Sequence, residues 1–339
     1  MINIKTQITK LHYTGNPHGV LFEILKFCSY FYGIGAHFKN FLYDKKIIRP
    51  KKVNAFVISV GNMTTGGVGK TPVVSEIAKY FIAKNKKVAI VSRGYGGKLN
   101  NKNINMVSDG KNIFFDAHDC GDEPLWLAQN TQGCLVFTSK NRYNASKFAV
   151  EKYGAEVIIL DDGFQHRKLH RDLDLVLMDS VKGFGNENLL PAGPLREGPE
   201  ALDRIDKLII VSKSTKHELA KKVAKIMQKR LKLPTEICYS EPDYVYNIKN
   251  GQRLMDGMEA TAICAIGQPQ QFYDFLKDFN IIKTLTFDDH HQYVPTDIID
   301  IKGNIITTEK DAVKLERFDR DNIYALKLRT VIDVEGLLK

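Results

Sequence analysis

No run of about 20 uninterrupted apolar residues occurs in this chain, so no segment reads as a simple membrane-spanning helix. No basic stretch, apolar core and small-residue cleavage site opens it, so no secretory signal peptide is expected. Cysteine is sparse: Cys28, Cys120, Cys134, Cys238 and Cys264 are scattered and form no C-x-x-C pair. That argues against a zinc site and against a disulfide framework, and it fits a reducing compartment. Low-complexity tracts and internal repeats are also missing, which sets repeat architectures aside.

What remains is the composition of a globular protein, with 339 residues, 43% hydrophobic and 26% charged. That is enough chain for two domains or one large one. The formal net charge is +10, and most of it lies at the start: residues 1–52 hold nine Lys/Arg against Glu23 and Asp44. A basic N-terminus suits nucleic acid, an anionic membrane surface, or solubility alone.

The stretch that organises the rest is AFVISVGNMTTGGVGKTP, residues 55–72. An apolar, β-branched run enters a glycine-rich turn, and VVSEIAKYFI then reads as a helix. Strand, glycine loop and helix in that order are the context of a phosphate-binding loop. The first helical turn leaves N–H groups unpaired, and its dipole favours an anion. Glycines let the backbone wrap phosphates without Cβ clashes. The cradle would comprise Thr64, Thr65, Gly66, Gly67, Val68, Gly69, Lys70 and Thr71. Lys70 would reach the β/γ-phosphates, and the Thr71 hydroxyl would sit on Mg²⁺. Pro72 suits a first turn. The strict motif has glycine where this chain has Thr64, so a glycine-rich turn with a chance Gly-Lys-Thr is the competing reading.

Residues 18–44 are rich in large apolar side chains but broken by charge. Glu23, Lys26, Tyr30, Gly33, His37, Asn40 and Asp44 alternate at spacings of three and four, which predicts one polar stripe on a helix. Leu21, Ile24, Leu25, Cys28, Phe31, Phe38 and Leu42 would fill the other side, and Gly33 and Gly35 are candidate break points. Such a helix, flanked by KKIIRPKK, either lies in a membrane interface or packs on a core.

Further along, KKVAIVS reads as a buried strand followed by a basic glycine loop, Arg93 to Lys98, at the strand end where ligands bind in open α/β sheets. In HDCGDEP, Asp122 and Glu123 are either a helix-start acid pair or a base and its neighbour. A helix with Arg142 in its first turn follows the CLVFTS strand. Val157 to Leu160 is an apolar run ending in Asp161 and Asp162, the arrangement that holds Mg²⁺ opposite the loop threonine. The stretch 184–212 reads as a long glycine- and proline-bearing loop and then a strand, and it carries Arg196, a phosphate-contact candidate. Its neighbour Glu197 is either a metal-shell acid or a surface acid. A polar helix is expected over 213–232. After about residue 240 a second, smaller βα set appears. In DDHHQY an Asp–His pair tuning a general base fits better than a metal site.

Together these stretches resemble the tetraacyldisaccharide 4′-kinase family. VGNMTTGGVGKTP, SRGYGG, CGDEP, LDDGFQH, RDLDLVLMD, FGNENLLPAGPLREG, DHHQY and ITTEKDAVK run in family order over most of the chain. The family too has Thr or Ser where the strict loop has glycine. The resemblance implies an α/β fold: a P-loop NTPase-type, mostly parallel sheet flanked by helices (49–240), a smaller C-terminal α/β domain (241–339), and an N-terminal amphipathic membrane-associating segment (1–48). It implies a kinase using ATP and Mg²⁺ on an acylated disaccharide lipid, peripherally bound at the cytoplasmic face of the inner membrane. No nucleic acid or obligate protein partner is expected. By the same resemblance Lys70 and Thr71 are phosphate and Mg²⁺ ligands, and Asp161 is a metal ligand joined by Glu197 as a possible one. Asp122 is the catalytic base with His290 as its partner. Asp162, Gln165, Glu123, Arg142 and Arg196 are positions tied to activity. The basic run RKLHR, 167–171, is left without a role.

The alternative is a membrane-associated partitioning-type ATPase. Its loop carries a lysine before two glycines, where this chain has Thr65. A nucleic-acid-binding module rests on net charge alone.

Overall fold

The computed structural model describes residues 4–15, 17–212, 217–267, 269–289 and 291–339. It opens with two helices, α1 (Ile4–His12) and α2 (Val20–Asp44). The β1 strand (Phe56–Asn62) leads through the glycine loop into α3 (Lys70–Ala83). Then come β2 (Val88–Ser92), β3 (Asn105–Asp109), α4 (Ala117–Cys120), α5 (Asp122–Asn130), β4 (Leu135–Thr138), α6 (Arg142–Tyr153) and β5 (Val157–Asp161). After them β6 (Leu173–Asp179), β7 (Lys207–Ser212), α7 (Glu218–Leu231) and β8 (Thr235–Asn247) complete the first half. The second half holds β9 (Glu259–Cys264), α8 (Pro269–Phe275), β10 (Asn280–Thr286), α9 (Pro295–Ile298), β11 (Asn304–Thr308), α10 (Glu309–Leu315), β12 (Ile323–Val331) and α11 (Val334–Leu338).

All twelve strands form one sheet, in the order β10-β9-β11-β12-β8-β7-β6-β1-β5-β2-β4-β3. From β8 to β4 every pairing is parallel, and β3 closes that edge antiparallel. The continuous apolar strands follow from burial on both faces. On one face Ile58, Val60 and Ile159 pack against Val73, Val74 and Ile77 of α3. On the other, Val57, Ile158 and Leu160 pack against Ala145 and Ala149 of α6. β12, β11, β9 and β10 are parallel to one another, and β12 meets β8 antiparallel. The residue taken as the domain boundary, 240, falls inside β8.

Strand order reverses about β1: β2 to β5 lie on one side of it, β6 to β8 on the other. In open α/β sheets such a reversal leaves a crevice at the strand C-terminal ends. The glycine loop sits there.

α2 departs from expectation in two ways. It runs unbroken through Gly33 and Gly35. Gly33 instead permits close approach, since a Cβ there would come within 2.9 Å of Leu189 Cδ1. The expected polar stripe is also divided. Phe22, Leu25, Ser29, Gly33, Ala36 and Asn40 face the body, while Glu23, Lys26, Tyr30, His37 and Asp44 are exposed. The body offers polar partners along that seam. Ser29 Oγ donates to Leu189 O and accepts from Ala192 N, both at 2.9 Å. Arg167 donates to Asn40 O at 3.1 Å and to Asp44 at 2.6 Å. The unassigned basic run thus anchors the end of α2. Meanwhile Leu21, Ile24, Phe27, Phe31, Ile34, Phe38 and Phe41 are exposed. None of the described helices is long and apolar enough to cross a membrane.

Candidate active site

Gly69, at φ +95°, is the left-handed residue from which α3 starts, and Lys70 is its first helical residue. The preceding loop is tied to the long loop 184–198. Thr65 N donates to Pro194 O at 2.8 Å, Arg196 N donates to Met63 O at 2.8 Å, and Thr64 bridges to Leu195. The side chains of Lys70 and Arg196 are thereby brought to one carboxylate. Asp162 receives Arg196 Nη1 at 2.8 and 3.0 Å and lies 3.5 Å from Lys70 Nζ. Arg142 reaches the Asp162 carbonyl at 3.4 Å. Burial would lift the Asp162 carboxyl, but Lys70 and Arg196 outweigh it and hold it below its ordinary range. Lys70 also donates to Asn62 Oδ1 at 3.2 Å, and Gln165 Nε2 donates to Asn62 O at 3.0 Å.

Asp161 ends β5, paired in register with Val60 of β1. It is 2% exposed, and its Oδ1 has no hydrogen-bond partner. Burial first, then the nearby Glu123 charge, pushes its carboxyl up to about 7. A buried, unpartnered carboxylate oxygen beside the helix carrying Thr71 is a donor set that fits a hard divalent cation.

Asp122 begins α5. The turn before it is set by close backbone packing: a Cβ on Gly97 would meet Asp119 O at 2.4 Å, and one on Gly121 would meet Tyr95 O at 2.6 Å. The basic glycine loop 93–98 thus seats the start of α5. Asp122 faces Lys314 Nζ of α10 at 3.3 Å, and Glu123 faces Lys310 at 3.7 Å. Lys314 is buried between Asp122 and the fully buried Asp311, again at 3.3 Å.

Residues 21–339 match the LpxK family, tetraacyldisaccharide-1-P 4′-kinase. The tetraacyldisaccharide 4′-kinase of Halothermothrix orenii is 37% identical, the match covering 88% of this chain and 84% of the relative. That of Desulfotalea psychrophila is 39% identical over 87% and 88%. The crystal structure of the "apo" form of LpxK from Aquifex aeolicus in complex with ATP superposes with a TM-score of 0.76. It is 32% identical and covers 94% of this chain and 97% of that one.

The chain belongs to the tetraacyldisaccharide 4′-kinase family. For an LpxK-type site, the structure brings together Lys70, Asp161, Asp162, Gln165, Arg142 and Arg196, with Glu123 close by. Glu197 is buried and its carboxylate is taken by Arg204, which also lies over the Phe164 ring at 4.6 Å. His290 lies outside the described residues. Its neighbour His291 is bonded to Asp297 at 2.8 Å and stacked on Phe287 at 4.7 Å. Sequence reasoning missed Asn62, His166 and Lys314. Burial, then Arg142 and Arg171, drives the His166 imidazole down to about 3, so it stands neutral in a cationic setting. Only the Asp-x-x-Lys spacing of Asp311 and Lys314 hinted at a helical pair, and nothing local pointed it at Asp122.

Proposed function

We propose that this protein transfers the γ-phosphoryl group of ATP to the 4′-hydroxyl of a tetraacyldisaccharide 1-phosphate. The observation that carries the reading is the convergence of Lys70, Arg196 and Asp162 on the mouth of a helix-starting glycine loop, in a chain of this family. The loop N–H groups and Lys70 bind the β- and γ-phosphates. Asp162 holds Lys70 and Arg196 in place until phosphate oxygens compete for them. Arg196, with Arg142 behind Asp162, offsets charge on the transferring group. Asp122 accepts the hydroxyl proton as the new P–O bond forms and the bond to ADP breaks. His290 is its proposed partner. Asp161 and Thr71 are the residues that would hold Mg²⁺, whose charge neutralises the phosphates when bound. Glu197, held by Arg204, would join them only by leaving that ion pair.

The membrane reading rests on α2. A row of exposed phenylalanines and isoleucines beside a basic flank suits the interface of an anionic bilayer. Tyr32 donates to Arg196 O at 2.9 Å and Lys39 to Gln165 O at 2.9 Å, so the same helix touches the site. We therefore place the protein peripherally at the cytoplasmic face of the inner membrane. There the lipid need not leave the bilayer, which would cost ~0.8 kcal/mol per CH₂. Segments 1–48, 49–240 and 241–339 are read as membrane-associating, kinase and C-terminal parts.

The test is transfer of labelled γ-phosphate to tetraacyldisaccharide 1-phosphate in mixed micelles. Wild type should label the lipid. Asp122→Ala should lower kcat about 10²–10⁴-fold with ATP affinity nearly unchanged. Product from both would discard Asp122 as base. Vesicle-stimulated ATP hydrolysis without lipid product would favour the partitioning ATPase.

A further inference from the structure

The family match begins at residue 21, yet the residues before it are built into the site. Asn186 N donates to His12 O at 2.8 Å, and Asn186 Nδ2 donates to Leu11 O at 3.0 Å. The buried His12 ring meets Pro191 O through Nε2 at 2.9 Å. The packing is close enough that a Cβ on Gly185 would lie 2.5 Å from His12 O. α1 is therefore docked on the loop that carries Arg196. From that anchor Tyr13 extends to the glycine loop. Its hydroxyl donates to Thr65 O at 3.2 Å, and Lys182 Nζ lies 5.0 Å from its ring centroid.

We propose that Tyr13 is a positioning residue for the nucleotide, fixing the Thr65–Gly66 peptide so that the loop meets phosphate already set. This rests on the reading of residues 64–71 as the phosphate cradle. The physical reason lies in one peptide plane. A trans peptide is planar, and its C=O and N–H point to opposite sides. Gly66 stands at φ +101°, and a second glycine follows it. Rotating this plane changes ψ of Thr65 and φ of Gly66, and on the Gly66 side no Cβ resists it. A carbonyl turned inward would set an oxygen dipole against the phosphates; an N–H turned inward binds them. Thr65 N is already committed to Pro194 O. With Thr65 O committed to Tyr13, the Gly66 N–H must face away from the tyrosine. Thus Tyr13, seated by the docked α1, restrains the rotation that Gly66 eases. Burial, then the charge of Asp179, raises the Tyr13 phenol, so it remains a donor.

The experiment compares full-length wild type, Tyr13→Phe and Lys70→Ala by ATP titration and by steady-state transfer to lipid. Tyr13→Phe keeps the ring and the Lys182 contact and removes only the hydroxyl. Its KM and Kd for ATP should rise about three- to tenfold, the scale of one hydrogen bond. Saturating kcat and KM for lipid should stay at wild-type values. Unchanged or tighter ATP binding by Tyr13→Phe overturns the proposal, as does a loss confined to kcat. Lys70→Ala separates the two readings. If it binds ATP as wild type does, residues 64–71 are not the cradle, and the underlying site assignment fails instead.

Discussion

Asp161 spends its folded life as a buried carboxyl with an oxygen bonded to nothing. Its folded pKa, about 7, stands above the ordinary 3.8. A raised carboxyl pKa stabilises the fold while the proton is held, fully below the unfolded value. That stability is lost as pH rises toward the folded one. Nucleotide-free protein should therefore lose stability between about pH 4 and pH 7 through this residue. Asp161→Asn removes the ionisation. At pH 8 it should melt a few degrees higher than wild type without ligand, and the gap should shrink as pH falls and close only near pH 4. A lower Tm at pH 8 would mean that attraction to Lys70 outweighs burial. Kinase activity should nonetheless fall with Asp161→Asn, since an amide is a poor ligand for a divalent cation.

At the scale of elements, α2 is the helix whose orientation matters most. Its apolar side chains point outward, so replacing them removes little core. Phe27→Ser, Phe31→Ser and Ile34→Ser together should sharply weaken sedimentation with anionic vesicles, while leaving ATP affinity and Tm near wild type. Unaltered vesicle binding would return the helix to a structural role. The helix also shows where sequence reading stops. The spacing of polar and apolar residues reveals that 18–44 is helical, but not which face meets the body. That choice is made by Leu189, Ala192 and Arg167, more than a hundred residues away, which supply partners for Ser29 and Asn40. By contrast β1, the glycine loop and α3 are legible because period, glycines and helix start all lie within one short stretch. Asp161 and Asp162 are legible for the same reason, as the end of an apolar strand. Lys314 is not, because its meaning depends on a contact with a helix on the other half of the sheet.

Across the whole molecule, that lysine is a fastening. It is 1% exposed and shared by Asp122 of one half and Asp311 of the other. Asp311 also accepts from Ala265 N at 2.8 Å and from Thr308 Oγ1 at 2.9 Å, which fixes it in the C-terminal half. Lys314→Met takes the cation from the buried Asp311 and from the half-buried Asp122 and should cost about 3–5 kcal/mol, read by denaturant titration. Adding Asp311→Asn should restore much of the stability but not the activity, because Asp122 has still lost its Lys314 contact. Full recovery of both would show that Lys314 serves packing alone.

Within the sheet the halves join along one strand. β8 bonds to β7 through Thr235–Tyr239 and to β12 through Tyr239–Asn247, so Tyr239 alone is paired on both sides. There is no slack connector at this point for a hinge to use. Any closing of the C-terminal half over nucleotide would twist that continuous ladder and shear the α5–α10 contact where Lys314 sits. Such a joint would act as a spring, its twist on closing relaxing when product leaves.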